Sequence, residues 1–171
     1  LDGIVDIYLP DLRYASDIQA ARLSHTVDYV TRARRAIFEM HQQVGDLILD
    51  GSGLARRGLI VRHLILPNEL AGSRDSFAWL VKEISPKVIV SMMSQYYPTY
   101  LAPHIPQLRR KISVSEYSAV LELLDELELE NGWIQEMDAA ENYLPHFDLD
   151  GHPFSAEQSQ IQGDVMSTGS A

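Results

Sequence analysis

Short, dense apolar runs alternate along this chain with stretches of helical period, and that alternation limits its fold more than any other feature. The strongest run is Gly58-Leu59-Ile60-Val61-Arg62-His63-Leu64-Ile65-Leu66-Pro67. Val88-Ile89-Val90-Ser91-Met92-Met93 is a second buried strand, and the run over 3–10 a third. Between them lie segments whose apolar residues recur on one helical face. Strand and helix taken in turn imply βα units and a mostly parallel sheet. Three parallel strands are expected near 3–10, 58–66 and 88–93. Helices near 27–44, 74–84 and 114–130 should pack on one side of them.

The helical segments carry end signals. From Val27 to Val44 apolar residues keep a helical period, with Thr26 placed to cap the start and Gly45 the end. Ser73 is expected to cap a helix with Phe77, Leu80, Val81 and Ile84 on one face. That helix should stop at Ser85-Pro86, because the residue before proline disfavours the α region. Ser113 and Glu116 have capping-box spacing and open a helix with Tyr117, Val120, Leu121 and Leu124. Its acidic face (Glu122, Asp125, Glu126, Glu128) reads as solvated, and Gly132 is expected to close it. Asp50-Gly51 points to a hairpin over 46–57, and Trp133-Ile134-Gln135 to one more short strand.

Composition excludes several classes. The 171 residues, 46% hydrophobic, suffice for one domain with a core. Residues 1–154 read as that domain and 155–171, rich in Ser, Gln, Gly and Thr, as a disordered tail. A net charge of −10 with scattered arginines argues against nucleic acid. No apolar run approaches the roughly 20 residues that span a bilayer. There is no cysteine, hence no disulfide scaffold. A cytoplasmic location is the default.

Ligands of a parallel βα barrel sit at the C-terminal ends of its strands. The first such end offers Asp11 and Arg13, which point to one side if the backbone stays extended. On spacing alone they read equally as a turn in which Asp11 caps a backbone amide. The second offers Arg62 and His63 inside an apolar strand, where a buried charge needs a partner. Arg62 is the better candidate for the site, and His63 for the helix-covered side. The third offers Gln95 and Tyr96, able to hydrogen-bond or stack on a nucleoside. No phosphate loop, metal-ligand spacing or nucleophile elbow is present. Lys82, Lys87 and Lys111, the three lysines, fall at helix or loop positions.

Three stretches together resemble the C-terminal half of the pyruvate formate-lyase activating-enzyme group of radical S-adenosylmethionine proteins, in its activating-enzyme-like branch. They are Val5-Asp6-Ile7-Tyr8-Leu9-Pro10-Asp11-Leu12-Arg13-Tyr14, then Arg57-Gly58-Leu59-Ile60-Val61-Arg62-His63-Leu64-Ile65-Leu66-Pro67, and Met93-Ser94-Gln95-Tyr96-Tyr97-Pro98 with Ile112-Ser113-Val114-Ser115-Glu116-Tyr117. The middle stretch is the most specific. The resemblance covers roughly residues 3–135.

The resemblance implies an α/β fold, the C-terminal half of a partial (β/α)6 TIM-like barrel, with this chain holding about the last three strands. It implies a parent protein in which a C-x3-C-x2-C loop binds a 4Fe–4S cluster, and the reduced cluster cleaves S-adenosylmethionine to a 5′-deoxyadenosyl radical. In activating enzymes that radical takes a hydrogen from a glycine of a partner, a glycyl-radical enzyme. The family's Asp-x-Lys motif falls on Asp11 and Arg13; arginine keeps the charge but presents a planar fork. The family's strand arginine falls on Arg62. Its later histidine has no clean match, and Gln95 stands nearest. These four residues are the expected cofactor-binding set. Without cysteine this chain alone should ligate no cluster and be inactive as an oxidoreductase. The front half of the barrel, roughly 100–150 residues by ordinary domain size, is expected upstream. The alternatives are a non-catalytic half-barrel interaction module and another βα-barrel lyase.

Overall fold

The apolar run after Gly58 becomes the axis of the molecule. A computed structural model describes residues 1–129 and 132–136; the tail expected over 155–171 lies outside them. Strand β3 (Ala55–Leu64) pairs in parallel with β1 (Ile7–Tyr8) on one side and with β4 (Ile89–Met93) on the other, and β5 (Trp133–Ile134) pairs in parallel with β4. A short β2 (Ile48–Leu49) runs antiparallel to the start of β3. The result is an α/β fold with a mostly parallel sheet of order β1-β3-β4-β5. The parallel strands follow one another in chain order, so each crossover leads to the adjacent position.

The crossovers are α1 (Asp17–Ser24) with α2 (Tyr29–Val44), then α3 (Ser73–Trp79) continued by a wider π-type turn over Leu80–Ile84, then α4 (Val114–Glu126). Alternation along β3 separates its faces. Leu59, Val61 and Ile65 point into one apolar cluster with Val90 and Met92, Ile37 of α2, Phe77 of α3 and Leu123 of α4. Helices α2, α3 and α4 therefore cover one and the same face, as expected. Ile60, Arg62 and Leu64 project from the other. Glu122, Asp125 and Glu126 of α4 are exposed, and Glu126 pairs with Arg74 at 2.9 Å.

Several expectations need correction. The first strand is much shorter than 3–10: Asp2–Ile4 form a turn, Gly3 has φ 73°, and Ile4 is exposed. Beyond Tyr8 one ladder bond is missing, because Pro10 has no N–H to give; pairing resumes at Pro10 O, which accepts from Arg62 N, and continues where Leu12 N donates to Arg62 O, both at 2.9 Å. The short strand expected at Trp133-Ile134-Gln135 does form, over Trp133–Ile134, and it joins β4 in parallel, so the parallel strands number four rather than three. Thr26 does not cap α2. Its hydroxyl turns back to Ser24 O, the cap position is Asp28 at φ 55°, and the Asp17 carboxylate accepts from Val30 N instead. Ser73 is the first helical residue and Gly72 the cap, which frees the Ser73 hydroxyl for another partner. Gly132 lies beyond the end of α4. A Cβ there would come within 2.3 Å of Val90 O, so glycine serves the close approach of β5 to β4.

Other end signals hold. Ser113 Oγ accepts from Glu116 N, and Glu116 returns the bond to Ser113 N at 2.8 Å. Gly45, at φ 74°, ends α2, and Ser85 is extended before Pro86. The loop into β3 is organised by Asp50, whose carboxylate accepts from Ser52 and from Leu54 N and pairs with Arg56. Those bonds, led by the Ser52 hydroxyl, lower its pKa to about 2.

Candidate functional site

Where β1 resumes beside Arg62, its backbone returns Asp11 to parallel register with that residue. Paired residues of parallel strands project from the same face, so the Asp11 carboxylate meets the Arg62 guanidinium on the face away from the helices. Asp11 Oδ1 lies 2.7 Å from Arg62 Nε, and Asp11 Oδ2 lies 2.6 Å from Arg13 Nη2. The carboxylate thus takes two guanidiniums and does not cap an amide. Arg13 and Arg62 are half exposed, Asp11 less so. The Nε and Oδ1 atoms are shielded from water, yet the N–H does not point at the oxygen. The contact is an ion pair, and both atoms keep hydrogen-bonding capacity.

The turn that carries Asp11 and Arg13 is clamped by Tyr29, at the start of α2. Its hydroxyl accepts from Arg13 N at 2.8 Å and donates to Asp11 O at 3.3 Å. Burial raises the Tyr29 pKa, which keeps the phenol protonated and able to donate. The Tyr14 ring meets it edge-on at 5.5 Å. Nothing local in the sequence marks Tyr29 for this role, because its partners lie 16 and 18 positions away.

Gln95 lies just past β4 on the same edge of the sheet. Its amide contacts Met93 Sδ at 3.8 Å and, among the described residues, does not bond to the Asp11 cluster. Arg13 and Arg62 are thus joined through Asp11, and the fourth expected residue, Gln95, is on the same edge without joining them. Beside Arg13 a recess of about 190 Å3 opens among Tyr14, Leu64, Leu66, Tyr96 and Leu108. A larger cleft of about 400 Å3 lies between α3 and α4. Two of its four charged lining residues, Arg74 and Glu116, are already engaged. Arg74 holds Glu126, and Glu116 takes both Arg110 nitrogens at 2.7 Å, which with Asn68 N and the Ser113 bonds lowers its pKa to about 2. That cleft is a structural seam, and the site is placed at the strand ends.

His63 has the opposite fate from Arg62. It is fully buried on the helix face, with Nδ1 at 2.7 Å from Leu12 O, Nε2 at 2.9 Å from the Ser73 hydroxyl, and its ring edge-on to Phe77 at 4.8 Å. The carbonyl can only accept, so Nδ1 carries the proton and Nε2 accepts from Ser73. By bonding Leu12 O, His63 holds the residue between Asp11 and Arg13. Burial lowers its pKa from 6.5 to about 4. The unfolded chain therefore takes up this proton as pH falls through 6.5, and the folded chain only near 4. Stability tied to neutral His63 is complete above pH 6.5 and is lost as pH falls toward 4, by about 3 kcal/mol in all. Urea unfolding at pH 7 and at pH 4.5 should show most of this loss. A His63→Gln variant should show a much flatter profile between the two.

Among the described residues no group of three or more His, Cys, Asp or Glu is placed to hold a metal ion, and no helix is long and apolar enough to cross a membrane. No family model matches the chain, and no solved structure matches it. It is similar to the uncharacterized protein MJ0674 of Methanocaldococcus jannaschii, 28% identical over 130 residues. That stretch is 76% of this chain but 34% of the relative, so the chain spans about a third of the length of the protein it matches.

Proposed function

We propose that this chain is the C-terminal half of the partial (β/α)6 barrel of a radical S-adenosylmethionine protein of the activating-enzyme type, with Asp11, Arg13, Arg62 and Gln95 holding S-adenosylmethionine. The observation that carries the reading is the Asp11–Arg13–Arg62 cluster at the C-terminal ends of strands whose helices α2, α3 and α4 lie on the other face. A singly wound sheet of that kind is the arrangement a barrel closes from, and barrel sites sit at this end.

The donor set suits the amino-acid end of that cofactor. A carboxylate can accept from its ammonium, and a guanidinium fork can take its carboxylate. The half-exposed guanidiniums of Arg13 and Arg62 are accessible for this. In this reading Tyr29 and His63 position the Asp11 turn, and the neighbouring recess is where a substrate group enters. The 4Fe–4S cluster is different. These 171 residues contain no cysteine, so they do not fit its thiolate ligands, which would have to come from residues beyond them. When bound, the cluster supplies the electron for cleavage of the cofactor; the part of this chain is to bind and orient. A glycyl-radical enzyme or another protein substrate in the cytoplasm is the matching partner.

The coding sequence ahead of Leu1 tests the reading. A C-x3-C-x2-C loop there, with iron and sulfide bound by the longer protein, is the expected result. A continuous upstream domain without those cysteines would leave the non-catalytic half-barrel module in its place.

A further inference from the structure

The recess beside Arg13 is defined by how its polar walls are spent. Leu23, Leu64, Leu66, Ala102 and Leu108 line it together with Tyr14 and Tyr96. The Tyr14 hydroxyl pairs with Ser24 Oγ at 2.8 Å, and the Tyr96 hydroxyl donates to Leu108 O at 2.7 Å. Both phenols are thus engaged within the protein, and their rings complete an apolar wall. Arg22 Nη2 of α1 donates to Gln107 Oε1 at 2.9 Å, which ties the helix carrying Leu23 to the loop carrying Ala102 and Leu108. An apolar cavity of about 150 Å3 accepts a benzene ring, so this one, at about 190 Å3, has room for a phenyl or branched alkyl group.

Arg13 is the charged side chain of this lining. It gives Asp11 one nitrogen, Nη2, and is half exposed, so other donors of its fork remain for an anion. Asp11 already faces the Arg62 guanidinium as well, which leaves an excess of positive charge here on a chain of net charge −10. The loop that supplies Tyr96 and Ala102 to the recess carries apolar groups into solvent between them. Tyr97 is 38% exposed, Tyr100 89% and Leu101 52%. Exposed aromatic side chains next to a pocket are what a polypeptide partner covers.

We propose that this recess docks the C-terminal residue of a polypeptide, an apolar one, with its side chain among Leu23, Leu64, Tyr96 and Leu108, its carboxylate on Arg13, and the residues before it against Tyr100 and Leu101. A C-terminal residue carries side chain and carboxylate on one Cα, which matches a cation set in the wall of an apolar recess. Capture of a terminal carboxylate is a known mode of peptide recognition. Calling this polypeptide the substrate rests on the function proposed above; its binding does not, because it uses neither cofactor nor cluster.

Calorimetric titration of the chain with four ligands decides the matter. They are acetyl-Gly-Gly-Phe with a free carboxylate, the same peptide as its C-terminal amide, acetyl-Gly-Gly-Ser, and 3-phenylpropanoate. The first should bind about tenfold tighter than its amide, the effect of one charged hydrogen bond, and about tenfold tighter than the serine peptide, the effect of burying the ring. It should also bind several-fold tighter than 3-phenylpropanoate. Arg13→Gln should erase the difference between acid and amide. Tyr100→Asn suits the left-handed backbone there, at φ 54°, and should erase the peptide's advantage over the free acid. The comparison on the parent chain needs no variant to fold. Equal affinity for acid and amide, or for the Phe and Ser peptides, would overturn the proposal, as would no binding at millimolar peptide. 3-Phenylpropanoate binding as tightly as the peptide would overturn it in favour of a small organic acid. Each of these outcomes leaves the family reading standing, since that reading is tested by cofactor cleavage in the longer protein.

Discussion

Replacing Gly58 by alanine should remove on the order of 4 kcal/mol of stability, a large part of what a domain of this size has. Gly58 has φ 129°, and a Cβ built there would lie 2.5 Å from Leu47 Cα, 2.6 Å from Asp46 O and 2.7 Å from Leu47 N. All three atoms are backbone, so no side chain can turn aside. Strand β1 also depends on this residue: Gly58 N donates to Asp6 O at 2.9 Å, and Gly58 pairs with Ile7. The chain must either separate β3 from the segment before it or lose the first strand. Gly53 is the control, with φ 81° and nothing within 4 Å of a built Cβ. Gly53→Ala carries backbone strain alone and should lose about 1 kcal/mol. Urea unfolding of the two variants checks both numbers, and similar losses would contradict the crowding argument.

The second large effect is expected at Phe77. It is fully buried in α3 among side chains of the sheet and of α4, and its ring meets His63 edge-on. Phe77→Ala should lose about 3–5 kcal/mol, through lost burial and the cavity left behind. The same cavity opens beside the imidazole. Water admitted there would weaken the burial that depresses the His63 pKa. The variant should therefore be less stable at pH 7 and also lose less on going to pH 4.5 than the parent chain. Unfolding curves at the two pH values read both effects. A uniform loss at both would mean that His63 is kept neutral by something other than this packing.

The elements legible in the sequence were those with dense local signals. The Gly58–Pro67 run could only be a buried strand, and the Ser113/Glu116 box set its own helix start. The antagonism between Arg62 and His63 followed from alternation, since neighbours on a strand face opposite ways. What the sequence left open depended on distant partners. Thr26 and Ser73 had the right chemistry for caps, but Asp17 reaches Val30 N from another helix and Ser73 is drawn to His63. The value of Gly132 lies in its distance from Val90, and no local pattern carries that. At the site, Asp11 and Arg13 were visible as a charged strand end, and their choice between a turn and an ion cluster was settled by Arg62, 51 residues from Asp11. Tyr29 went unread because a clamp exists only once the register does.

The central claim is that Asp11, Arg13 and Arg62 hold S-adenosylmethionine for reductive cleavage. It is tested most directly by 5′-deoxyadenosine formation in the longer protein, loaded with iron and sulfide without oxygen and reduced with dithionite. The account predicts steady formation, reduced on the order of a hundredfold in Asp11→Ala and Arg62→Ala variants that still carry the cluster, because misplacing a bound reactant has that scale of effect. A protein that carries the cluster yet releases no 5′-deoxyadenosine, or releases it equally from all three forms, would contradict the account.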